Sequence, residues 1–243
     1  MNELSIIIPV LSGFERMPAF IDGLSQYLQA NPGDMDVIVV VDQTVEKPGS
    51  ILEYVRDHYP WLPCRVLQKY GRGSERNYGA LVRFGMAYSH SQYVVLVSPS
   101  GEDDLSKIRE MLPQMRQGAQ LAQATRYLKP ADARQVKFLF RFYQTLFRFS
   151  IRALLGLTVS DSTYGFKMFD RVFIESLGIN RNGFSLCPEI TVKSLLAGGK
   201  VVYVPSAARP VPGGSPFQLS REGIGYFLVV SRAFLHRLGL LWF

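Results

Sequence analysis

Residues 4–10 read LSIIIPV, an apolar run broken only by one serine. A short run of this kind, rich in β-branched residues, is typical of a strand buried on both faces of a parallel sheet. Residues 36–42, DVIVVVD, repeat the pattern. Between them, residues 14–30 have helical periodicity that stops at the Asn-Pro-Gly of residues 31–33. The chain is therefore predicted to begin with a β-α-β unit.

Strand and helix patterns keep alternating through the first hundred residues. Helical periodicity covers 49–59 and 74–89, and strand patterns cover 64–68 and 92–97. This alternation predicts an α/β fold with a mostly parallel, Rossmann-like sheet flanked by helices, whose ligands bind at the carboxyl ends of the strands. A GxGxxG after the first strand and a GxxxxGK[ST] are both missing, which argues against dinucleotide-binding and P-loop proteins.

Composition narrows the class of protein further. The 243 residues suit one large α/β domain, and the hydrophobic share of 47% occurs without an uncharged apolar stretch of membrane-spanning length. The net charge of +7 suits a phosphate-bearing substrate, an anionic membrane or nucleic acid. Without a nucleic-acid-binding motif, no specific nucleic-acid partner is expected. Two isolated cysteines, Cys64 and Cys187, and a start that does not resemble a signal peptide favour a cytoplasmic location.

Residues 136–157 form a second distinctive segment, with five Phe and one Tyr among 22 residues. At about 100° per residue, its four cations fall on one narrow stripe of a helix; they are Lys137, Arg141, Arg148 and Arg152. Two interpretations stay open: a core helix with a solvated edge, or an amphipathic helix in a membrane interface whose cations reach lipid phosphates. Residues 225–243 repeat the theme.

Seven blocks together resemble, in order and spacing, a family-2 glycosyltransferase of GT-A fold, and more narrowly the dolichol- and polyprenyl-phosphate sugar transferases. The blocks are IIIPVLSGFERMPAFIDGL, DVIVVVDQT, SERNYGALVRFGMA, YVVLVSPSGEDDLSKI, ATRY, LLGLTVSDSTYGFKMF and GFSLCPEITVKSLLAGGKVVYVP. The resemblance implies a GT-A domain over 1–220, with a nucleotide-binding half (1–104) and an acceptor half (105–220), followed by a C-terminal amphipathic helix (221–243).

The resemblance also implies a nucleotide-sugar site at the strand ends. Pro9 keeps the start of the turn that follows the first strand, and Asp42 matches the acid that hydrogen-bonds the nucleotide base. Arg76 matches a residue lying against the nucleotide, and Arg209 resembles a basic residue that closes on the donor phosphates. The plainer alternatives are a turn-capping role for Asp42 and simple solvation for Arg76.

Residues 98–104, SPSGEDD, align without a gap with the family's Asp-x-Asp turn, so Ser98 and Ser100 replace both metal-binding aspartates at the donor site. The resemblance implies Mg²⁺ or Mn²⁺, whereas a neutral hydroxyl is a poor substitute for a carboxylate ligand. Three outcomes stay open. Glu102 takes over as the metal ligand, basic side chains neutralise the leaving group without metal, or sugar transfer is lost. The basic side chains considered are Arg72, Arg76, Arg126 and Lys167.

On the acceptor side, the resemblance assigns catalytic roles to Arg126, Asp161 and Lys167, of which the lysine replaces the family's arginine. It assigns acceptor binding to Arg134, Lys137 and Glu189. An acceptor that is already a phosphate anion needs no strong general base.

The expected function is transfer of a sugar from a UDP- or GDP-sugar to a polyprenyl phosphate at the cytoplasmic face of a membrane, with the protein bound peripherally. The alternative is a catalytically impaired relative that binds a nucleotide, a lipid phosphate or a partner protein.

Overall fold

The structure is a computed structural model that describes residues 2–11, 14–71, 78–128, 136, 138–207, 209 and 219–243, with the side chains of 219–221 excepted. A seven-stranded sheet forms its centre, in the order β3-β2-β1-β4-β6-β5-β7, and β6 alone runs antiparallel to its neighbours. The strands are β1 (Leu4–Val10), β2 (Met35–Asp42), β3 (Cys64–Lys69), β4 (Tyr93–Leu96), β5 (Leu121–Thr125), β6 (Lys167–Asp170) and β7 (Val201–Pro205).

Helices cover both faces of this sheet. Those of the described chain are α1 (Met17–Ala30), α2 (Gly49–His58), α3 (Tyr78–Ala87), α4 (Ile108–Arg116), α5 (Phe138–Leu155), α6 (Arg171–Ser176), α7 (Leu186–Leu196) and α8 (Leu219–Arg237), with 3-10 turns at Phe14–Arg16 and Leu105–Lys107. The first core cluster joins one face of the sheet to α1, α2 and α4, and the second joins the opposite face to α3, α6 and α7.

The predicted α/β class and the mostly parallel sheet are confirmed. β1 lies inside the sheet, and helices cover both of its faces. Ile6 and Ile8 pack in the first cluster, and Ile7 packs in the second. The chain order places β1 between β2 and β4, so the strand order reverses beside β1. In doubly wound folds, ligands bind at the carboxyl ends of the strands at such a reversal.

Pro9 fits this reversal for a backbone reason. The Ile7 carbonyl accepts the N–H of Val97, the residue that follows β4, and Pro9, two residues after Ile7, faces the same side. β4 ends at Leu96, so at Pro9 there is no further β4 residue to pair with. A proline therefore sacrifices no ladder hydrogen bond here, and the two strands part at the edge where a ligand is expected.

α5 and α8 form an outer layer against α7. Phe147 and Ile151 of α5 are fully buried with Tyr226 and Val229 of α8 in a third core cluster, and the Phe147 and Tyr226 rings lie 5.5 Å apart. The sequence predicts the C-terminal helix at 221–243, whereas α8 runs from Leu219 to Arg237. The helix ends before Gly239, whose φ of 73° is left-handed and typical of a helix C-terminus.

Candidate active site at the carboxyl edge of the sheet

Four of the predicted site residues are brought to one edge of the sheet. Pro9, Asp42, Ser98 and Arg126 lie at or just beyond the carboxyl ends of β1, β2, β4 and β5. These four strands are parallel, so their carboxyl ends meet at a common edge. Asp42 uses Oδ1 to accept the Thr44 N–H at 3.1 Å, so it caps its own turn and leaves its other carboxylate oxygen outside that bond.

The turn after β4 is organised by acidic side chains that accept backbone N–H groups. The Ser98 N–H donates to Asp103 Oδ2 at 2.6 Å, and the Ser100 N–H donates to Ser98 Oγ at 3.3 Å. Asp104 then caps the following 3-10 turn by accepting the Ser106 N–H at 3.2 Å. Between them Gly101 has a φ of 75°, a conformation that glycine adopts without strain. Asp103 and Asp104 therefore stabilise this turn through hydrogen bonds to its backbone.

Burial changes the protonation of these acids. Asp103 is buried, and burial together with neighbouring Glu102 raises its pKa to about 8, against the opposing effect of the Ser98 N–H and the Tyr164 hydroxyl. Burial likewise raises the pKa of Glu102, although its hydrogen bond with Ser98 and the charge of Arg126 oppose the shift. Burial thus favours the protonated form of the Asp103 carboxyl more than in an exposed aspartate.

This donor set fits a divalent cation poorly. Mg²⁺ and Mn²⁺ prefer ionised carboxylates, yet Ser98 offers only a hydroxyl, which already accepts the Ser100 N–H, and burial disfavours the ionised form of Asp103. No group of three or more His, Cys, Asp or Glu residues placed to hold a metal ion occurs in the described ranges. Glu102 as a metal ligand stays a prediction.

Arg209 reaches the same turn from the C-terminal half of the chain. Its Nη2 lies 3.2 Å from Asp104 Oδ1, and about half of its side chain is exposed. The predicted donor-phosphate residue is therefore next to the turn that follows β4. An exposed ion pair such as Arg209–Asp104 contributes little to stability, so Arg209 can exchange Asp104 for a phosphate group at small cost.

The Arg126–Asp161 pair is the most strongly held ion pair of the site. Arg126 Nε and Nη2 donate to the two Asp161 oxygens at 2.8 and 3.2 Å, in a fork-to-fork arrangement. Asp161 is fully buried and Arg126 keeps only 15% of its side chain exposed. Burial opposes both charges, but each partner offsets the penalty of the other, so the Asp161 pKa is lowered and the Arg126 pKa raised.

Tyr164 connects this ion pair to the β4 turn. Its ring lies 4.5 Å from the Arg126 guanidinium carbon, and its hydroxyl donates to the Glu102 carbonyl at 3.2 Å. The pair is also held by α5, because Gln144 Nε2 donates to Thr163 Oγ1 at 2.6 Å and Thr163 donates to Asp161 at 3.1 Å. The donor turn, the ion pair and α5 therefore form one connected structure.

Lys167 lies deeper than its predicted role suggests. Its ammonium group is fully buried on β6 and donates to the Ser162 carbonyl at 3.1 Å and to Thr191 Oγ1 at 3.0 Å. Burial lowers its pKa to about 8, against the opposing effects of Cys187 and Asp161. By its bond to the Ser162 carbonyl, Lys167 stabilises the turn that contains Asp161. Contact between Lys167 and a substrate stays a prediction.

Glu189 holds a loop in the structure. Its carboxylate accepts the backbone N–H groups of Asn180 and Arg181 at 3.1 and 2.9 Å and lies 3.3 Å from Lys193 Nζ. These contacts fix the chain just before α7, on the side of the sheet covered by α3. Acceptor binding by Glu189 stays a prediction, as do the roles of Arg76, Arg134 and Lys137, which lie outside the described residues together with Arg72.

The structure adds residues that sequence reasoning did not select. Asp103 and Tyr164 order the β4 turn, and Arg148 of α5 lies with its guanidinium carbon 4.8 Å from the centre of the Tyr127 ring. Tyr164 belongs to the SDSTYGFK block, so the resemblance pointed to its segment but not to its role. The sequence marks Arg148 only as one of four cations on one side of the helix predicted at 136–157.

No protein-family model and no curated protein matches this chain. Solved structures do resemble it. A crystal structure of a mycobacterial protein is 16% identical with a TM-score of 0.69, over 99% of this chain and 76% of the other.

Glucosyl-3-phosphoglycerate synthase from Mycobacterium tuberculosis, in complex with Mn²⁺, uridine diphosphate and phosphoglyceric acid, is 17% identical with a TM-score of 0.66, over 99% and 80% of the two chains. Its complex with Mn²⁺, UDP-glucose and phosphoglyceric acid is 16% identical with a TM-score of 0.66, over 99% and 81%. At such identities the likeness concerns the fold, and the chain therefore has the GT-A fold that these glycosyltransferase structures share.

Proposed function

We propose that this protein transfers a sugar from a nucleoside-diphosphate sugar to a polyprenyl phosphate at the cytoplasmic surface of a membrane. The donor half of the proposal is supported by Asp42, the β4 turn and Arg209, which lie at the carboxyl edge of the sheet. The glucosyl-3-phosphoglycerate synthase structures of similar fold contain uridine diphosphate or UDP-glucose. These observations favour a nucleoside-diphosphate sugar as the donor.

The observation that carries the acceptor half is an apolar stripe on α5. Phe138, Phe142, Leu146 and Phe149 are between 46% and 82% exposed. At about 100° per residue they fall within about 80° of one another, on the side of the helix opposite buried Phe147. We call these four residues the α5 stripe. Exposed aromatic area of this extent is unusual on a surface that faces only water.

Arginines border the α5 stripe. By the same helical geometry Arg141, Arg148 and Arg152 fall between the stripe and the buried face. Arg148 contacts Tyr127 at the end of β5, and the Arg126 guanidinium carbon lies 5.5 Å from the centre of the Phe140 ring, so this border adjoins the Arg126–Asp161 pair. An apolar stripe beside cations suits an anionic membrane surface and brings a lipid phosphate next to the site. None of the described helices is both long and apolar enough to cross a membrane.

The chemistry needs few protein groups. An oxygen of the acceptor phosphate attacks the anomeric carbon, the bond from that carbon to the diphosphate oxygen breaks, and the nucleoside diphosphate leaves with the bonding electrons. The attacking oxygen is already anionic, so no proton has to be removed. In this proposal Arg126 and Arg209 offset the negative charge that develops on the leaving diphosphate, because positive charge there stabilises the transition state.

The test is a transfer assay with UDP- and GDP-sugars and vesicles that contain polyprenyl phosphate, read out as labelled sugar in the organic phase. Labelled lipid is expected, and Arg126→Gln should reduce the rate at least tenfold. A second arm replaces the lipid with phosphoglycerate, because structures of similar fold hold phosphoglyceric acid. Transfer to phosphoglycerate alone would overturn the lipid acceptor. No transfer to either acceptor would overturn the enzyme assignment.

A second candidate is a protein that binds nucleotide or lipid phosphate without transfer. The observation that favours it is the β4 turn, where the hydroxyls of Ser98 and Ser100 stand at the two positions at which the family's metal-binding acids are expected. Nucleotide binding by calorimetry together with absent transfer would support this candidate.

A further inference from the structure

We propose that Arg148, Arg141 and Tyr127 form the binding site for the phosphate monoester of the acceptor. This inference rests on the proposed function, because it names how the acceptor side of that site recognises its substrate. The three residues lie where α5 meets the end of β5, next to the Arg126–Asp161 pair.

Tyr127 lies close to two guanidinium groups. The guanidinium carbons of Arg148 and Arg126 are 4.8 and 5.7 Å from its ring centre. Its hydroxyl oxygen is buried and has no hydrogen-bond partner in the part of the chain that the structure describes. Burial raises the Tyr127 pKa to about 12, against the lowering effect of nearby arginines, so the hydroxyl is a neutral donor at physiological pH.

Arg148 also has unused donor capacity. Its Nη1 donates to the Ser160 carbonyl at 3.3 Å, while its Nε is buried without a partner among the described residues. Leaving a buried donor unsatisfied destabilises the folded state, and such a group in a native protein requires an explanation. An anion that accepts from Arg148 Nε and from the Tyr127 hydroxyl would satisfy both groups at once.

Among the residues that the structure describes, no acid balances the positive charge of Arg141 and Arg148 near Tyr127. Arg126, Arg148 and Arg141 all act on the Tyr127 pKa in the direction expected of nearby positive charge. The one buried carboxylate of this cluster, Asp161, is committed to Arg126. Within the described ranges neither Arg141 nor Arg148 has a carboxylate partner. Two uncompensated arginines match a phosphate monoester, which carries about −1.5 to −2 at neutral pH.

A phosphate monoester has two sources, a lipid headgroup or a soluble ester. The α5 stripe lies on the same helix as Arg141 and Arg148, so a lipid phosphate would bind with its chain directed toward the stripe. The shared chemistry is the monoester, which presents more charge and more free oxygens than the phosphodiester of a phospholipid.

The experiment measures binding without turnover. Flotation with phosphatidylcholine vesicles that carry polyprenyl phosphate is compared with flotation at equal charge from phosphatidylglycerol, and glycerol 3-phosphate is titrated by calorimetry. Arg148→Gln should weaken binding to the polyprenyl-phosphate vesicles about tenfold or more and change phosphatidylglycerol binding much less. The matched control is Arg56→Gln on α2, an exposed arginine on the opposite face of the sheet.

Tyr127→Phe provides a second variant that keeps the ring and its contacts with both arginines. It should weaken monoester binding roughly two- to tenfold without lowering the thermal midpoint, because an unsatisfied buried hydroxyl is removed. Glycerol 3-phosphate binding that depends equally on Arg148 would support the site with a soluble source.

Equal monoester affinities of Arg148→Gln, Tyr127→Phe and Arg56→Gln would overturn the proposal. Arg148-dependent binding without sugar transfer would leave this site standing and remove the transferase assignment, so the two failures are distinguishable.

Discussion

At the scale of single residues, the acids of the Ser98–Asp104 turn bind the backbone of the turn itself. Asp103 accepts the Ser98 N–H and Asp104 caps the next turn, so the acids that remain serve the backbone. The alignment of residues 98–104 indicated that Ser98 and Ser100 lack a metal ligand's charge. It could not indicate the protonation of Asp103, because that depends on burial, on Glu102 and on Tyr164, 61 residues further along the chain.

The raised pKa of Asp103 predicts a pH-dependent stability. An acid whose folded-state pKa lies above its unfolded value of about 4 binds more protons in the native state between those two values. Its contribution to stability is therefore complete below about pH 4 and is lost as the pH rises toward about 8. The thermal midpoint should fall over this range.

Asp103→Asn should flatten that slope, because the amide keeps an oxygen acceptor for the Ser98 N–H and has no proton to lose. Thermal unfolding at a series of pH values measures the effect, with Asp57→Asn as a control at an exposed acid of α2. Glu102, whose pKa is also raised, should keep part of the slope. A slope in Asp103→Asn as steep as in the parent protein would contradict the assignment.

The serines themselves give a second prediction at this scale. Ser98→Asp combined with Ser100→Asp restores two carboxylates at the end of β4, where they can share a cation with a diphosphate. Calorimetry with UDP and GDP should then show affinity that rises with Mn²⁺ and falls with chelator, whereas the parent should respond little. Ser50→Asp on α2 controls for added charge. A parent whose nucleotide affinity already needs Mn²⁺ and loses this need in Glu102→Gln would instead identify Glu102 as the ligand.

At the scale of elements, the sequence predicts the regular half of the fold well. β1 to β4 and the helices between them follow from apolar runs separated by helical periodicity. The sequence pattern does not predict β6, because a strand of four residues is too short to show an alternation of apolar and polar side chains. Its position depends on antiparallel pairing with β4 and β5. α7 is buried on nearly all sides between the sheet and the outer helices, so it has no amphipathic pattern to recognise.

α5 has a buried face, as the core alternative predicts, and an exposed apolar face, while its location in a membrane interface stays a prediction. Phe147 and Ile151 are core residues, and the α5 stripe on the other side is exposed. Aromatic residues occupy both the buried and the exposed side of this helix. When only a narrow polar border lies between two apolar faces, periodicity alone cannot predict which face is buried.

The α5 stripe predicts membrane binding that can be separated from stability. Phe142→Ser with Phe149→Ser should strongly reduce flotation with phosphatidylcholine–phosphatidylglycerol vesicles, because both side chains would otherwise enter the interface. The free energy of unfolding should change by no more than about 0.5 kcal/mol per substitution, as expected for exposed positions. Phe147→Ala, in the buried face, should instead cost about 3–5 kcal/mol in urea unfolding. Flotation unaffected by the paired serines would leave the stripe without a membrane role.

At the scale of the whole molecule, the site is assembled from both halves of the chain. Asp42 and the β4 turn come from the first 104 residues, while Arg126, Asp161 and Arg209 come from the rest. Asp42, the β4 turn, Arg126 and Asp161 belong to separate blocks of the resemblance, and Arg209 follows the last block. The sheet brings these segments to one edge. What the sequence could not predict is the link between α5 and the site, because Gln144 and Arg148 contact Thr163 and Tyr127 only once α5 packs beside β5.

The last prediction concerns the independence of donor and membrane binding. Asp42 lies at the end of β2, four positions across the sheet from β5, whereas the α5 stripe lies on the outer helical layer. Asp42→Asn keeps an oxygen to accept the Thr44 N–H but removes the charge that would hold a nucleotide base. A charge-assisted bond of this kind contributes roughly 1.5–3 kcal/mol, so UDP or GDP affinity should fall about tenfold or more. Vesicle flotation should stay unchanged.

The paired serine variant of the α5 stripe should show the reverse, with normal nucleotide affinity and weak flotation. Calorimetry and flotation on both variants complete the test, and the thermal midpoint of Asp42→Asn verifies that its turn is intact. If Asp42→Asn binds nucleotide as well as the parent, its carboxylate serves the turn alone and the base pocket must be sought elsewhere along the same edge. If each variant weakens both kinds of binding, the two surfaces are coupled through the contacts of α5 with the Arg126–Asp161 pair, and donor and acceptor sites cannot be treated as separate.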